Sequence, residues 1–221
     1  MTLMEAIQNR HAVRAYEEKE IAQDVVLELK KEIDLCNEEA SSAIQLITND
    51  DEVFKGLMAH YGGFRGVRNY IALVGNKSDD LEEKMGYYGE RLVLKAQQLG
   101  LNTCWVAVTY KKKNCKAVIG EDQELVCVIA LGYGKTQGTP HKSKPMEKLC
   151  RAEGSLPDWF RKGMEAAMLA PTALNKQDFL IILEGNEVRF QAVGGQYAKL
   201  DLGIAKYHFE VGADFAKGVV R

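Results

Sequence analysis

The order of the predicted secondary-structure elements repeats along this chain. The spacing of apolar residues predicts helix, strand, strand and helix over residues 21–99, and the same order over residues 157–211. The two segments share little sequence, so the repeat is one of element order only, and a chance match stays open as an alternative. The repeat predicts an α+β fold of two related halves, at residues 1–150 and at the shorter 151–221.

The clearest single element is a helix over Leu81–Leu99, where apolar residues recur at steps of three and four and Gly100 ends the helix. Further helices are predicted at Ile21–Cys36, Asn114–Ile119 and Tyr197–Val211, from Leu3 towards Arg10, and from Pro157 to just before Pro171. Strands are predicted at Ala43–Thr48, Val67–Gly75, Thr103–Val108, Leu125–Leu131, Phe179–Leu183 and Val188–Val193. The polar residues Lys135–Pro145 are predicted to form a long surface loop.

The composition narrows the class of protein. A net charge of −2 gives no overall field that would attract nucleic acid or anionic lipid. The first residues are polar and charged where a signal peptide needs an apolar run, and no stretch approaches the ~20 apolar residues of a membrane span. The five cysteines form no Cys-x-x-Cys pair and none has metal-ligand spacing to a histidine, so we expect reduced thiols in a cytoplasmic protein and no metal.

Two arginines near the start of the chain could bind an anion. On a helix, Arg10 and Arg14 would lie one turn apart on the same face, where their charges repel unless an anion lies between them. The guanidinium group is suited to bidentate binding of phosphate. The alternative is that both arginines pair with surface carboxylates such as Glu17 and Glu18. The spacing alone leaves both interpretations open.

Three further segments contain short motifs. Ala170–Phe179 reads Ala-Pro-Thr-Ala-Leu-Asn-Lys-Gln-Asp-Phe, a loop with two side-chain amides that enters an apolar strand. Leu99–Ala107 reads Leu-Gly-Leu-Asn-Thr-Cys-Trp-Val-Ala, and Leu131–Gly134 (Leu-Gly-Tyr-Gly) is followed by the basic Lys142–Pro145. Together with Arg-His-Ala-Val-Arg at the start, these segments resemble the signatures of the nitroreductase / flavin reductase family. The resemblance implies a nitroreductase-like α+β fold and FMN as the cofactor.

The resemblance also implies which residues contact FMN in a cleft between the two halves. They are Arg10, His11, Arg14, Lys142 and Lys144 for the phosphate; Thr172, Asn175 and Gln177 for the loop at the ring edge; and the backbone of Ala107 and Val108 near flavin N5. Two positions depart from the family pattern, because Ala12 stands where the family generally has serine and Asp178-Phe179 replaces Pro-Trp. In such enzymes the cofactor performs the chemistry, so no catalytic side chain is expected.

The order of the motifs is unusual for the family. Ordinary members carry the asparagine loop early, about one helix after the arginines, whereas residues 37–44 here have lost that pattern. The intact loop follows the helix near residue 160 instead. The chain therefore resembles a branch of the superfamily in which a tandem duplication imitates the family dimer. That branch implies one complete flavin site per chain, in a monomer (a pseudo-dimer) or in a homodimer.

The resemblance implies an NAD(P)H-dependent oxidoreductase. Hydride would pass from NADH or NADPH to flavin N5, and then to a nitroaromatic, a quinone or a similar flat acceptor. The alternative is a redox-inactive flavin-binding or regulatory module of the same fold. Two other motifs are interpreted without function: Lys111–Lys113 as a solvated charge run and His208 as a structural histidine in the last helix.

Overall fold

A computed structural model describes residues 1–214 of the chain. The α-helices are α1 (Leu3–Asn9), α2 (Gln23–Ala40), α3 (Leu57–Tyr61), α4 (Leu81–Gln98), α5 (Asp158–Ala167) and α6 (Ala198–Gly212). The strands are β1 (Gln45–Ile47), β2 (Asn69–Asn76), β3 (Asn102–Val106), β4 (Gln123–Gly132), β5 (Cys150–Ala152), β6 (Phe179–Glu184) and β7 (Glu187–Ala192). Short 3₁₀ turns occur at Glu52–Phe54, Lys112–Asn114, Met146–Lys148 and Ala173–Asn175. None of the described helices is both long and apolar enough to span a bilayer.

The chain divides into two compact units, and neither unit is continuous in sequence. The four-stranded unit comprises Asn9–Leu81 and Leu92–Thr139. Within the described residues, the three-stranded unit comprises Met1–Gln8, Glu82–Arg91 and 140–214. The predicted halves, 1–150 and 151–221, stay a prediction, and the last seven residues of the second half lie outside the described part of the chain.

The four-stranded unit is built on an antiparallel sheet of strand order β1-β2-β4-β3. Strand β2 is buried along its whole length except Asn76, which explains its nearly continuous apolar sequence. Tyr70 pairs with Ala130 on β4, and Ala130 pairs with Cys104 on β3. All three residues belong to the hydrophobic core of this unit. Helix α2 packs beside the sheet and buries Val26, Leu29, Ile33, Cys36 and Ala40, which recur at steps of three and four.

The three-stranded unit combines the mixed sheet β5-β6-β7 with helices α5 and α6. Strand β5 runs parallel to β6, and β6 and β7 form an antiparallel hairpin. Phe160 of α5 and Phe209 of α6 make an edge-to-face contact at 5.3 Å between ring centroids. Gly203 of α6 lies so close to the carbonyl of Glu83 in α4 that a Cβ atom would overlap with it. Glycine is therefore required for this helix contact.

His208 is a buried structural residue of the three-stranded unit, as the sequence predicted. The side chain is fully buried, with its Nδ1 atom 3.0 Å from the carbonyl oxygen of Ala166 and its Nε2 atom 2.9 Å from Oε1 of Glu90. Both ring nitrogens therefore have polar partners inside the protein. These two contacts of His208 join α6 to α5 and to α4. This is the role expected of a core histidine whose ring nitrogens both have partners.

The periodicity of the sequence located most elements correctly, and one predicted helix was wrong. Instead of a helix at Asn114–Ile119, a single 3₁₀ turn at Lys112–Asn114 is followed by irregular backbone. The backbone N–H groups that a helix would use donate instead to side chains elsewhere in the four-stranded unit. Lys116 N donates to the hydroxyl of Tyr70 (3.1 Å), and Val118 N donates to Oε1 of Gln45 (2.9 Å).

Candidate functional site

The arginine segment of the four-stranded unit is extended, so Arg10 and Arg14 do not lie one helical turn apart on one face, the arrangement they would have on a helix. Helix α1 ends at Asn9, and Ala12 forms a parallel bridge with Thr103. Val13 N donates to the carbonyl oxygen of Thr103 at 3.0 Å, which takes this backbone away from helical hydrogen bonding. Four residues of extended chain span about 13 Å. The Cα atoms of Arg10 and Arg14 are therefore separated by much more than the rise of one helical turn.

The two arginines and the histidine between them have different environments. Arg10 is only 4% exposed, whereas Arg14 is exposed and its guanidinium lies 6.0 Å from the ring centre of Phe64. His11 is half-buried beside Gly138, where a Cβ atom would lie 2.8 Å from that of His11. The segment thus presents one buried and one exposed cation next to the start of β3.

The backbone at the other end of β3 is open to a ligand. The strand ends at Val106, after which Ala107 is half-buried and the side chain of Val108 is 59% exposed. Within residues 1–214, no acceptor takes the backbone N–H of Val108. An exposed N–H that secondary structure does not use can donate to a ligand acceptor. Thr109 follows directly and lies against Gly62, after the end of α3.

In the three-stranded unit, the loop between α5 and β6 has a constrained backbone. Leu174, Asn175 and Gln177 all have positive φ angles, of 53°, 55° and 50°. Residues other than glycine adopt this left-handed region only at an energetic cost, and such residues often occur at functional sites. The loop is held by hydrogen bonds, since Gln177 N donates to Oγ1 of Thr172 at 3.0 Å and Ala173 N donates to Asp201.

The amides of this loop bind the basic segment at Lys142–Lys144. Gln177 is 3% exposed; its Nε2 atom donates to the carbonyl oxygen of Lys142 (3.1 Å) and to Oδ1 of Asn175 (3.1 Å). Its Oε1 atom accepts from Lys144 N at 2.8 Å. Asn175 Nδ2 also donates to the carbonyl oxygen of Lys142, at 2.9 Å. Thr172, Asn175, Gln177, Lys142 and Lys144, five of the residues predicted from the sequence, therefore form one network.

The ammonium group of Lys144 is directed towards the same loop. It donates to the carbonyl oxygens of Lys176 and Gln177, the second at 3.3 Å, and lies 3.8 Å from Oδ1 of Asp178. Lys142, by contrast, is exposed. The two predicted phosphate ligands of this unit therefore differ: Lys144 stabilises the loop, and Lys142 presents its charge to solvent.

Asp201, in the first turn of α6, also belongs to this loop network, although the sequence did not predict it. Both carboxylate oxygens lie 3.0 Å from Ala173 N, and the residue is only 4% exposed. Burial, with a smaller contribution from the nearby charge of Asp178, raises the pKa of Asp201 to about 7, against the opposing effect of the Ala173 hydrogen bond. An acidic residue in a first helical turn usually reflects the helix dipole, so the sequence offered no separate signal.

The donors described here suit an anionic cofactor better than a metal. Guanidinium and ammonium groups, together with an exposed backbone N–H, match a phosphate and a ring nitrogen acceptor. No cluster of His, Cys, Asp and Glu within residues 1–214 could hold a metal ion. The residues present therefore fit a cofactor with a phosphate group better than they fit a metal ion.

The antiparallel sheet, the flanking helices and these segments define an α+β protein of the nitroreductase type. A structure of a putative nitroreductase from Thermotoga maritima shares this fold, with a TM-score of 0.67, 24% identity, and coverage of 96% of this chain and 83% of that one. A putative nitroreductase from Desulfovibrio desulfuricans, solved in complex with FMN, has a TM-score of 0.54 at 19% identity and covers 71% of this chain and 99% of its own. A nitroreductase family protein from Streptococcus pneumoniae has a TM-score of 0.52 at 13% identity, over 66% and 98%.

The sequence itself establishes the family. The model of the family described as "Putative TM nitroreductase" matches residues 2–213, almost the whole chain. The chain therefore belongs to this nitroreductase family. A search of the curated proteins gives no match.

Proposed function

We propose that this chain is an FMN-dependent oxidoreductase that passes a hydride from NAD(P)H to a nitroaromatic, a quinone or a similar flat acceptor. The observation that carries the proposal is the N–H of Val108, which no acceptor takes within residues 1–214. This N–H follows the strand whose first residues bind the arginine segment through Thr103. Strand β3 thus connects the arginine segment to the exposed N–H of Val108. A cofactor with a phosphate at one end and a ring nitrogen at the other needs a cationic group and a donor placed in this way.

Each proposed FMN contact follows from the chemistry of its residue. Arg10, His11 and Arg14 would neutralise the phosphate, and Lys142 would add positive charge. The N–H groups at Ala107 and Val108 would donate near flavin N5. The chemistry that FMN supplies when bound is two-electron hydride transfer.

The loop amides would act through the network that they form. Gln177 uses its Nε2 and Oε1 atoms on Lys142, Asn175 and Lys144, so we propose that it positions the basic segment. Asn175 and Thr172 would then lie at the ring edge on a backbone that this network holds in place. Lys144 would contribute its positive charge from the position in which the carbonyl oxygens of the loop hold it.

The finer assignments are also proposals. We place the protein in the tandem-duplicated branch, with halves at 1–150 and 151–221, because helix, strand, strand and helix follow one another in α5 to α6 and, with the short helix α3 between the two strands, in α2 to α4. We further propose that it works in the cytoplasm, as a monomer or a homodimer, and uses NADH or NADPH.

A specific observation favours a second candidate, a redox-inactive FMN-binding or regulatory module. The amides of Asn175 and Gln177 and the ammonium of Lys144 are all engaged within the protein. Residues that hold one another in this way provide stability without necessarily contacting a cofactor.

Three measurements test the proposed function in sequence. The purified protein should show flavin absorption bands, or gain them when FMN is added. The FMN-loaded protein should then oxidise NADH or NADPH with menadione or a nitrofuran as acceptor. FMN binding without turnover would support the module instead, and a colourless protein that does not bind added FMN would exclude both candidates.

A further inference from the structure

Large apolar side chains project into solvent beside the end of β3. Leu57 is 85% exposed and Tyr61 is 92% exposed, and they lie four residues apart on one face of α3. Val108 is 59% exposed. Single exposed apolar residues are ordinary, but a group of them often marks a binding surface.

Contacts within the four-stranded unit bring both ends of α3 beside the residues that follow Val108. A Cβ atom at Gly56 would lie 2.8 Å from Cε of Lys111, and one at Gly62 would lie 2.7 Å from Oγ1 of Thr109. Both ends of α3 therefore lie against residues 109–111, directly after Val108. Lys111 N also donates to the carbonyl oxygen of Val53 at 2.9 Å, which joins this segment to the 3₁₀ turn that precedes α3.

A buried network holds the segment after Lys111 in position. Asp50 is 2% exposed and accepts a hydrogen bond from the hydroxyl of Tyr70 at 2.8 Å. Its other oxygen lies 3.2 Å from Nζ of Lys116, and Lys116 N donates to the same hydroxyl at 3.1 Å. A surface held in this way needs little ordering when a partner binds.

Lys111, Lys112 and Lys113 give this surface a local positive charge, beside the exposed Asp51 and Glu52, which both pair with Lys55. Residues 92–120 contain no Asp or Glu, and neither do residues 53–78. Within the described part of the chain, Lys111, Lys112 and Lys113 take part in no ion pair, whereas Lys55 and Lys116 are paired with nearby carboxylates. The apolar and basic surface is called the lysine face below; it consists of Leu57, Tyr61, Val108, Lys111, Lys112 and Lys113.

The exposure of these side chains indicates the size of the partner. Small molecules bind in concave pockets whose walls are largely buried, and a tyrosine that is 92% exposed does not line such a pocket. Apolar and aromatic residues beside charged ones are typical of a protein interface, and the three lysines favour a partner of negative charge. These features fit an acidic protein.

We propose that the lysine face docks an acidic electron-carrier protein, which supplies electrons to the site at Ala107 and Val108. The proposal rests on the proposed function, because it needs FMN beside those residues. Two one-electron carriers would each be oxidised by one electron, and two protons from solvent would complete the reduction of FMN to its two-electron reduced form. Weak complexes steered by charge suit carriers that must dissociate after each transfer.

The test uses a reduced plant-type [2Fe–2S] ferredoxin, a small acidic protein, as the probe. Its reduction of the FMN-loaded protein is followed by anaerobic stopped-flow absorbance at low and at high ionic strength. Lys112→Glu with Lys113→Glu reverses two exposed charges of the lysine face. Lys30→Glu with Lys31→Glu reverses two exposed, adjacent charges on α2 and is the matched control.

We expect the Lys112/Lys113 variant to lower the bimolecular rate constant at low ionic strength by about tenfold or more, and the control by far less. The effect should shrink at high ionic strength because salt screens it. Leu57→Ser with Tyr61→Ser should slow the reaction at both ionic strengths, compared with Leu27→Ser and Leu35→Ser on α2. Circular dichroism verifies folding, and reduction by NADH or NADPH should be unchanged in every variant.

Equal rate constants in the Lys112/Lys113 variant and its control would overturn the proposal. So would lysine-dependent binding to phosphatidylcholine/phosphatidylserine vesicles without any lysine dependence of the ferredoxin reaction, since the surface would then bind lipid. Calorimetric titration of ferredoxin into the protein before FMN is added separates the two proposals. Lysine-dependent binding in a protein that fails to bind FMN supports the docking surface while the proposed function fails.

Discussion

At the scale of single residues, the arginine segment separates two roles that its sequence makes look equivalent. Arg10 is 4% exposed and Arg14 is exposed. A buried cation is expensive to leave without partners, so its replacement affects folding as well as binding. An exposed arginine can be replaced with little effect on the fold. Arg14 is therefore the cleaner probe of phosphate binding.

We predict that Arg14→Ala weakens FMN binding by about 1–2 kcal/mol, roughly tenfold in Kd, because a charge-assisted hydrogen bond is lost. The melting temperature should stay close to that of the wild type. Fluorescence titration with FMN measures the affinity. Arg189→Ala, which removes an exposed arginine from β7, is the matched control and should bind FMN as the wild type does. An unchanged Kd in the Arg10/Arg14 double variant would remove the phosphate role.

A second prediction concerns the pH dependence that Asp201 gives to the fold. Its pKa is raised to about 7 in the folded protein from an ordinary value of 3.8. Between these values the folded state binds a proton that the unfolded state has lost, so this residue makes stability fall as pH rises from about 4 to about 7. Each pKa unit corresponds to about 1.4 kcal/mol, which makes the total on the order of a few kcal/mol.

We predict that Asp201→Asn flattens this fall, since the amide keeps an oxygen acceptor for Ala173 N but does not titrate. Urea unfolding across this pH range measures the free energy of unfolding of the wild type and the variant. Asp24→Asn, in the exposed first turn of α2, makes the same change in net charge and serves as the control. Parallel pH profiles for wild-type and Asp201→Asn proteins would show that Asp201 makes no such contribution.

At the scale of elements, the loop between α5 and β6 depends on one buried amide. Gln177 joins the carbonyl oxygen of Lys142 to the backbone N–H of Lys144. We predict that Gln177→Ala destabilises the protein by about 1–3 kcal/mol, because the Lys144 N–H loses its acceptor and the Lys142 carbonyl oxygen keeps only the donor from Asn175. Hydrogen exchange of the Lys144 amide should accelerate as well. Gln191→Ala, at an exposed position on β7, should change neither the stability nor the exchange rate of the Lys144 amide. A Lys144 amide that stays protected in Gln177→Ala would contradict the proposed role of Gln177.

Because α4 and α6 are in close contact at Gly203, replacing this glycine with alanine should destabilise the protein instead of stabilising the helix. Alanine normally stabilises a helix interior by up to about 1 kcal/mol relative to glycine. At Gly203 the added Cβ would overlap with the carbonyl oxygen of Glu83. We therefore predict that Gly203→Ala lowers the melting temperature, as measured by calorimetry. A raised melting temperature would show that the two helices can move apart at no cost.

The elements that the sequence predicted correctly are those whose signal is local. The periodicity at Leu81–Leu99 and the alternation of strand and turn at Phe179–Val193 match α4, β6 and β7 within a few residues. The extended conformation of the arginine segment could not be predicted, because its partner, Thr103, lies far along the chain and leaves no local signal. Likewise, no pattern in Ala170–Phe179 indicated that Gln177 would use its amide on Lys142 and Lys144.

At the scale of the whole molecule, charge is distributed unevenly although its sum is nearly neutral. The chain carries 29 basic and 31 acidic residues, yet residues 92–120 contain no acidic residue. The net charge excluded a general attraction to anions but could not exclude a local one. Local positive charge at the lysine face and at the arginine segment can therefore occur in a protein whose net charge is slightly negative.

The last prediction is the number of cofactors per chain. The arginine segment and the asparagine loop each occur once in an intact form, because residues 37–44 have lost the loop pattern. If the tandem-duplicated arrangement is correct, a chain has one complete set of contacts, and the ratio of FMN to protein should be close to one. Flavin absorbance against amino-acid analysis measures this ratio, and light scattering gives the mass of the particle. A monomer of 24.7 kDa and a homodimer should give the same ratio, because each chain would supply its own set. A ratio near two would overturn the duplicated arrangement.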